Sequence, residues 1–186
     1  MELMPVLKIG WLNGWIPFVL LALTEGVMLK ALSREVAARL FDRSTWSRRQ
    51  AAFTVVGKAF SLVCIILVVL TPLKIGTWGF FAGIALYALG LLGLIVAIVD
   101  FGTTPAGQPV TKRLYRVSRH PQILMVSVAF LGMCLAIGSW PALLALLLSR
   151  LLQHYGILAE EEACLAQYGE SYRAYMEQVP RYFLFF

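Results

Sequence analysis

Charge is scarce in this sequence. Aspartate, glutamate, lysine and arginine together make up 14% of its 186 residues, where a soluble globular domain carries roughly 25%. Hydrophobic residues reach 60% and mean hydropathy is +0.77, so the chain belongs in a bilayer. That length accommodates a handful of spanning helices with short connections. It excludes a separate soluble nucleotide-binding domain. Cysteine is also sparse: Cys64 and Cys134 fall in apolar stretches and Cys164 in the tail, without paired metal-ligand spacing. All three read as small apolar residues, and no metal is expected. Acid is the rarer charge, with 10 acidic against 16 basic residues and a net charge of +6. The basic residues flank apolar stretches, so they report topology, and no nucleic-acid partner is expected. No glycine fingerprint of the soluble dinucleotide-binding type follows a strand.

Five apolar stretches are present, approximately Gly10 to Leu29, Ala51 to Leu70, Trp78 to Val99, Pro121 to Ile137 and Trp140 to Leu158. Each approaches the roughly 20 residues that a spanning helix needs, the fourth being short. Only Gly138 and Ser139 separate the fourth from the fifth, which makes these two antiparallel neighbours in a tight hairpin. The expected fold is an all-α polytopic membrane protein, with five transmembrane helices and a C-terminal cytoplasmic helix. Residues 1–186 form one integral membrane domain, in which 1–100 hold three spans and 101–186 the remainder. Lys30, Arg34, Arg39, Arg43, Arg48 and Arg49 lie between spans one and two, Lys112, Arg113, Arg116 and Arg119 between three and four, and Arg173 and Arg181 in the tail. The other connections carry only Lys8 and Lys74. The positive-inside rule therefore places the N-terminus outside and the C-terminus in the cytoplasm. The first stretch is a retained span and not a secretory signal, since little positive charge precedes it and no small-residue cleavage site comes before Glu25.

Polar groups inside or beside these spans are the candidates for function. Glu25 lies in the first span, either paired with Lys30 or in contact with a polar head group. Gly79, Gly83, Gly90 and Ala97 share a face of the third span, which suits close helix packing or space for a lipid tail. Pro121 fits the first turn of the fourth helix with His120 at the cap. A helix start with Arg116 and Arg119 beside it is a natural seat for a carboxylate or phosphate, although topology also puts arginines there. Arg150, His154 and Glu161 recur at intervals of four and seven, with Gln153 and Glu162 beside them. Such a stripe is improbable against lipid, so it is a ligand site or an internal salt-bridge ladder. Glu161 and Glu162 can accept hydrogen bonds from a ribose diol or an ammonium. The tail carries Leu165, Tyr168, Tyr172, Tyr175 and Met176 as an apolar stripe interrupted by Gly169, then Pro180-Arg181 and the aromatic run from Tyr182 to Phe186. It either folds back as a lid or anchors at the interface.

The run Pro109-Val110-Thr111-Lys112-Arg113-Leu114-Tyr115-Arg116-Val117-Ser118-Arg119-His120-Pro121 is followed in order by Glu161-Glu162, Leu165, Tyr168-Gly169, Tyr172, Tyr175 and Val179-Pro180-Arg181. This pattern resembles the C-terminal signature of integral membrane methyltransferases, which include isoprenylcysteine carboxyl methyltransferases and phospholipid N-methyltransferases. The resemblance implies an S-adenosylmethionine site at the ends of the fourth and fifth helices and the helix that follows. By it, Tyr115, Arg119, His120 and Pro121 surround the methionine or nucleoside part, Glu161 and Glu162 hold polar groups of the cofactor, and Arg181 closes the pocket or pairs with an acid. There are departures. Arg113 stands where relatives often have glycine, Gln122-Ile123 replaces a pair ending in tyrosine, and Gly156-Ile157-Leu158-Ala159 lacks the usual basic residue. Methyl transfer from a sulfonium is an in-line displacement, so the protein must align donor and acceptor and exclude water. A lipophilic acceptor is expected to enter sideways from the bilayer. A carboxylate acceptor needs no base, whereas an amine must lose a proton, for which Glu25 or His154 is available; Arg150 suits an anionic acceptor. Two rivals stand beside this reading: an NADPH-dependent membrane reductase of sterol-reductase type, and a non-catalytic membrane protein that keeps the fold. Oligomeric state is not readable from the sequence.

Overall fold

The computed structural model describes residues 1–105 and 107–183, without the side chains of Glu35 and Arg39. Leu184 to Phe186, the end of the expected aromatic anchor, lie outside the described residues. Among the described residues the protein is all helical: α1 (Trp15–Ala31), α2 (Arg34–Phe41), α3 (Arg48–Leu70), α4 (Trp78–Gly102), α5 (Pro121–Ile137), α6 (Trp140–Tyr168) and α7 (Glu170–Gln178).

Local chemistry sets these boundaries. The Ser33 hydroxyl accepts from the backbone N–H of Val36 and opens α2. Ser47 and Gln50 form a reciprocal capping box that starts α3, satisfying N–H groups the first turn would leave bare. Gly138 takes a left-handed φ of +66° as it ends α5, a conformation that favours glycine, and Ser139 then caps α6 by accepting from Ala142 N. Nothing breaks the helix between Leu158 and Tyr168, so α6 runs on through the acidic triplet until Gly169 stops it at φ +56°. The fifth apolar stretch and the acidic cluster are therefore one continuous helix of 29 residues.

Among the described residues three helices, α3, α4 and α6, are long and apolar enough to cross a membrane. At 17 residues each, α1 and α5 span about 25 Å at 1.5 Å per residue, below the ~30 Å hydrocarbon core. The expected first span begins at Trp15 and not at Gly10, because the preceding segment is strapped across the end of α3. Buried Asn13 donates to the carbonyl oxygens of Lys8 (2.6 Å) and Val69 (3.3 Å).

Two helix pairs build the bundle. Along α4 and α5 the glycines lie backbone to backbone: a Cβ on Gly83 would come within 2.5 Å of Gly132 O, and one on Gly90 within 2.4 Å of Ala129 N. The small-residue face of the third span is thus filled by a helix. Along α3 and α6, Gly57 faces Gln153, and Gly156 faces Thr54 and Trp46. The core between the pairs includes Leu21, Val68, Leu94, Met133 and Ile137, and Tyr87 on α4 ties in α1 by donating to Pro17 O at 2.8 Å.

Candidate functional site

After α4 the chain makes a short 3-10 turn over Arg113–Arg116 and then reaches Ser118-Arg119-His120 at the start of α5. The returning tail crosses here. Arg119 N donates to Pro180 O at 3.0 Å and Ser118 Oγ donates to Arg181 O at 2.8 Å. This backbone crossing brings Arg119 and Arg181 to the same carboxylate on α6.

That carboxylate is Glu161. Arg119 Nε donates to its Oε1 at 2.9 Å, with the two side chains only 3% and 4% exposed. Arg181 embraces it from the other side, Nη2 to Oε2 at 2.7 Å and Nε to Oε2 at 3.0 Å. His120 Nε2 lies 3.2 Å from Oε1 and His120 Nδ1 lies 3.5 Å from Glu160 Oε2. Arg119 Nη1 also donates to the carbonyls of Met176 (2.9 Å) and Val179 (3.2 Å), at the negative end of α7. A buried ion cluster holds together only when its charges are matched and its donors satisfied, and here two guanidiniums and an imidazole converge on one acid.

The titration of the cluster follows. Burial pushes the Glu161 carboxyl up, but hydrogen bonds from His120 and Arg181 and the nearby charges of His120 and Arg119 outweigh it and hold the pKa down to about 2. Burial works against the charged form of His120, yet its contacts with Glu160 and Glu161 raise its pKa overall.

Beside the cluster lies a cleft of about 340 Å³. Its lining includes Tyr115, His120, Glu160 and Tyr172, together with Leu40 at the end of α2 and Arg43 just beyond it. Tyr175 OH donates to Tyr115 O at 2.6 Å and Gln122 Nε2 to Tyr115 OH at 3.0 Å, fixing that ring. Burial pushes the phenols of Tyr172 and Tyr175 up, so they stay protonated. Tyr172, Tyr175 and Val179 are packed with Leu165, Tyr168 and Met176, so the tail folds back over the end of the bundle.

The structure brings together Arg119, His120, Glu161 and Arg181, with Tyr115 and Pro121 buried next to them. The three consecutive acids face three ways, as the helical turn of 100° per residue requires. Glu160 faces the cleft, Glu161 the cluster, and Glu162 turns to α3, accepting from Gln50 Nε2 at 3.0 Å. Arg150 and Glu161 form no ladder, because Glu161 is occupied by Arg119, Arg181 and His120. Arg150 Nη2 instead reaches Ser61 Oγ and Ser149 Oγ, both at 3.3 Å. His154 Nδ1 lies 2.7 Å from Tyr182 OH. Glu25 is half-buried on α1 and forms no ion pair with Lys30 among the described residues. In the sequence Glu160 stands out only as the first of the acidic triplet Glu160-Glu161-Glu162, Gln122 only as a departure from the family pattern and Tyr182 only within the aromatic end, while the end of α2 is not marked at all. Spacing held a signal for the first: Glu160, Cys164 and Gln167 recur at four and seven residues, on one helix face, and all line the cleft.

The family model described as phospholipid methyltransferase matches residues 52–171. Comparison with curated proteins and with solved structures gives no match.

Proposed function

The chain belongs to the phospholipid methyltransferase family, an integral membrane family, and on that premise we propose that it moves a methyl group from S-adenosylmethionine to a lipid acceptor drawn from the bilayer. The carrying observation is the cleft beside the Arg119–Glu161–Arg181 cluster, with Glu160 and His120 on its wall.

The chemistry of the lining fits such a donor. Its volume lies in the range of small-molecule sites. Tyrosine faces suit an adenine ring and a sulfonium cation, and Glu160, with its side chain 44% exposed, is an acceptor for a ribose diol or an ammonium. When bound, the cofactor supplies an electrophilic methyl group. Glu161 acts as the strut: it pins Arg119 and Arg181, and through them Tyr115, His120 and Pro121 at the cleft and the tail across its end. The acceptor role for cofactor hydroxyls or ammonium passes to Glu160, while Glu162 braces α6 against α3. Tyr172 and Tyr175 exclude water from one side, and α2 closes the other.

In this reading α1 and α5 complete five spans, the N-terminus is outside, and the cleft opens to the cytoplasm, where the basic loops of α2 and the α4–α5 connection lie. Calorimetric titration of the detergent-purified protein with S-adenosylmethionine and its demethylated product tests the proposal. Saturable binding, weakened at least about tenfold by Glu160→Ala as expected for loss of a charge-assisted hydrogen bond, supports it. A folded wild type that binds neither compound but binds a reduced nicotinamide cofactor overturns it in favour of a reductase.

A further inference from the structure

Lys58 lies ten residues into α3 from Arg48, about 15 Å along the axis and so well inside a ~30 Å core. It is exposed, on the stripe of α3 that also carries exposed Val55 and Leu62, three residues before it and four after. Topology accounts for the arginines in the loops, but not for a lysine within a span. A cation there is costly unless its stem carries the ammonium toward the interface or an anion meets it. The charged group that faces it is a second cation, Arg43.

Arg43 sits exposed in the connection between α2 and α3, its guanidinium over the Trp46 ring at 5.2 Å from the centroid. Trp46 in turn packs on α6: its Cη2 and the Thr54 hydroxyl lie 3.0 and 2.9 Å from where a Cβ on Gly156 would stand. Thr54 is one turn before Lys58 on α3. Trp46 Nε1 and Thr54 Oγ1 are both buried without a hydrogen-bond partner. The acids on neighbouring segments are engaged elsewhere. Asp42 accepts from Ser44 N at 2.9 Å, Glu162 accepts from Gln50 Nε2 at 3.0 Å, and Glu160 lies 3.5 Å from His120. Among the described side chains neither Arg43 nor Lys58 forms an ion pair. From Lys30 to Lys58 the sequence holds seven basic residues and two acids, so this corner carries a positive excess.

We propose that the α2–α3 corner is a seat for an anionic lipid of the leaflet on the side of the cleft, its phosphate held between Arg43 and Lys58 and its acyl chains lying along the Val55 and Leu62 face of α3. Charge selects the headgroup. A zwitterionic lipid carries its own cation and leaves the corner's excess unmatched, whereas a lipid of net negative charge neutralises it. A free phosphate would gain nothing from the apolar stripe beside Lys58, so the occupant is a lipid. This seat lies outside the cleft but is joined to it, because Leu40, Phe41, Asp42 and Arg43 belong to the cleft lining. Among the described residues α2 rests broadly on no other helix. A lipid that holds Arg43 therefore holds that part of the cleft wall, and the composition of the leaflet becomes a control on the site independent of what the cleft binds.

The test places the full chain in nanodiscs of phosphatidylcholine alone and of phosphatidylcholine mixed with phosphatidylglycerol. Native mass spectrometry is expected to find phosphatidylglycerol retained in preference to phosphatidylcholine, and backbone hydrogen exchange over Arg34 to Arg43 to slow in the mixed discs. Lys58→Gln should weaken that retention about fivefold, the worth of one cation beside anionic lipid, while Lys58→Arg keeps it. Lys58 is exposed, so its replacement leaves the bundle folded, which unchanged exchange along α4 and α5 verifies. Arg43→Gln, on the exposed connection, should give a similar loss and supplies an independent reading. Glycerol phosphate added to the phosphatidylcholine discs should leave α2 unprotected. Equal retention of the two lipids, retention indifferent to both neutral variants, or protection of α2 by glycerol phosphate in place of the lipid overturns the seat. Failure to bind S-adenosylmethionine would remove the proposed function and leave this seat standing.

Discussion

Where α4 meets α5, backbone lies on backbone: Gly83 and Gly90 leave no room for a side chain, and the seam is sealed by small residues. Where α3 meets α6, side chains reach across it: Ser61, Ser149, Gln153 and Arg150 share a hydrogen-bond network inside the bundle. Both pairs hold helices together in an apolar solvent, but only the second places a charge there. A packing seam needs no ionisable group, so the charge on the α3–α6 seam calls for a different explanation. The glycine seam fixes where α5 begins, and the polar seam holds a guanidinium among hydroxyls.

Substitution separates the two most sharply at Gly90. A Cβ there would meet Ala129 N at 2.4 Å and Met125 O at 2.6 Å, backbone atoms that cannot turn aside. Gly90→Leu is expected to destabilise the bundle by upwards of about 3 kcal/mol, measured as loss of monodisperse protein and of its thermal transition in detergent. On the polar seam, Ser149→Ala removes one hydroxyl from a network that keeps Ser61 and Gln153, and should cost about 1 kcal/mol. Equal losses at the two positions would remove the distinction between the seams.

The ion cluster comes next in size. Glu161→Gln leaves Arg119 buried without a carboxylate, and breaking such a pair costs about 3 kcal/mol. The loss should be local. Limited proteolysis after Gly169 is expected to accelerate while the α4–α5 pair stays protected from hydrogen exchange. If protection fell uniformly, the cluster would be part of the bundle core and not a clasp on the tail.

The same clasp should respond to pH on both sides. The carboxyl of Glu161 is held at about 2 against an ordinary 4.5, so its contribution is complete above about 4.5 and is lost as pH falls toward 2, on the order of 3 kcal/mol in all. His120 has a raised pKa relative to 6.5, so its contribution is complete below 6.5 and is lost as pH rises through the raised value. Tail protection measured by hydrogen exchange should therefore fall at both extremes, while the glycine seam stays flat. A tail whose protection ignored pH would sink the clasp.

Much of this was legible in the sequence, and the reasons for the remainder are physical. Apolar runs placed α3, α4 and α6, the described helices long and apolar enough to cross a membrane, and the Gly138-Ser139 hairpin fixed α5 beside α6. Glycine periodicity announced a close seam but not its partner, since that needs the α5 backbone. The Arg119-His120-Pro121 corner and the acidic triplet were visible as a pair of clusters. Which acid faced which way was not, because that depends on α6 continuing past the last apolar residue. The contact of Tyr182 with His154 spans 28 positions and follows from the tail crossing at Pro180, which hydrophobicity does not encode. Gly156, in the stretch that lacks the usual basic residue, is explained by Thr54 and Trp46 pressing on it.

The smallest expected effect concerns Arg113, which stands where relatives often carry glycine. Its φ of +40° is left-handed, a conformation that costs a residue with a Cβ about 1 kcal/mol, so glycine there would relieve strain. The same side chain, 65% exposed, reaches Asp100 Oδ1 at 3.2 Å, and Asp100 is 3% exposed at the end of α4. The other oxygen, Oδ2, is buried without a hydrogen-bond partner. Removing the guanidinium thus strips the counter-charge from a buried acid, which opposes the gain in backbone freedom. Arg113→Gly should shift stability by less than about 1 kcal/mol in the presence of Asp100. In the background of Asp100→Asn, where no charge is left to neutralise, Arg113→Gly should raise the thermal midpoint, because only the backbone relief remains. A double-variant cycle with no coupling would mean that the arginine occupies this turn for the membrane surface outside it and not for the acid beneath.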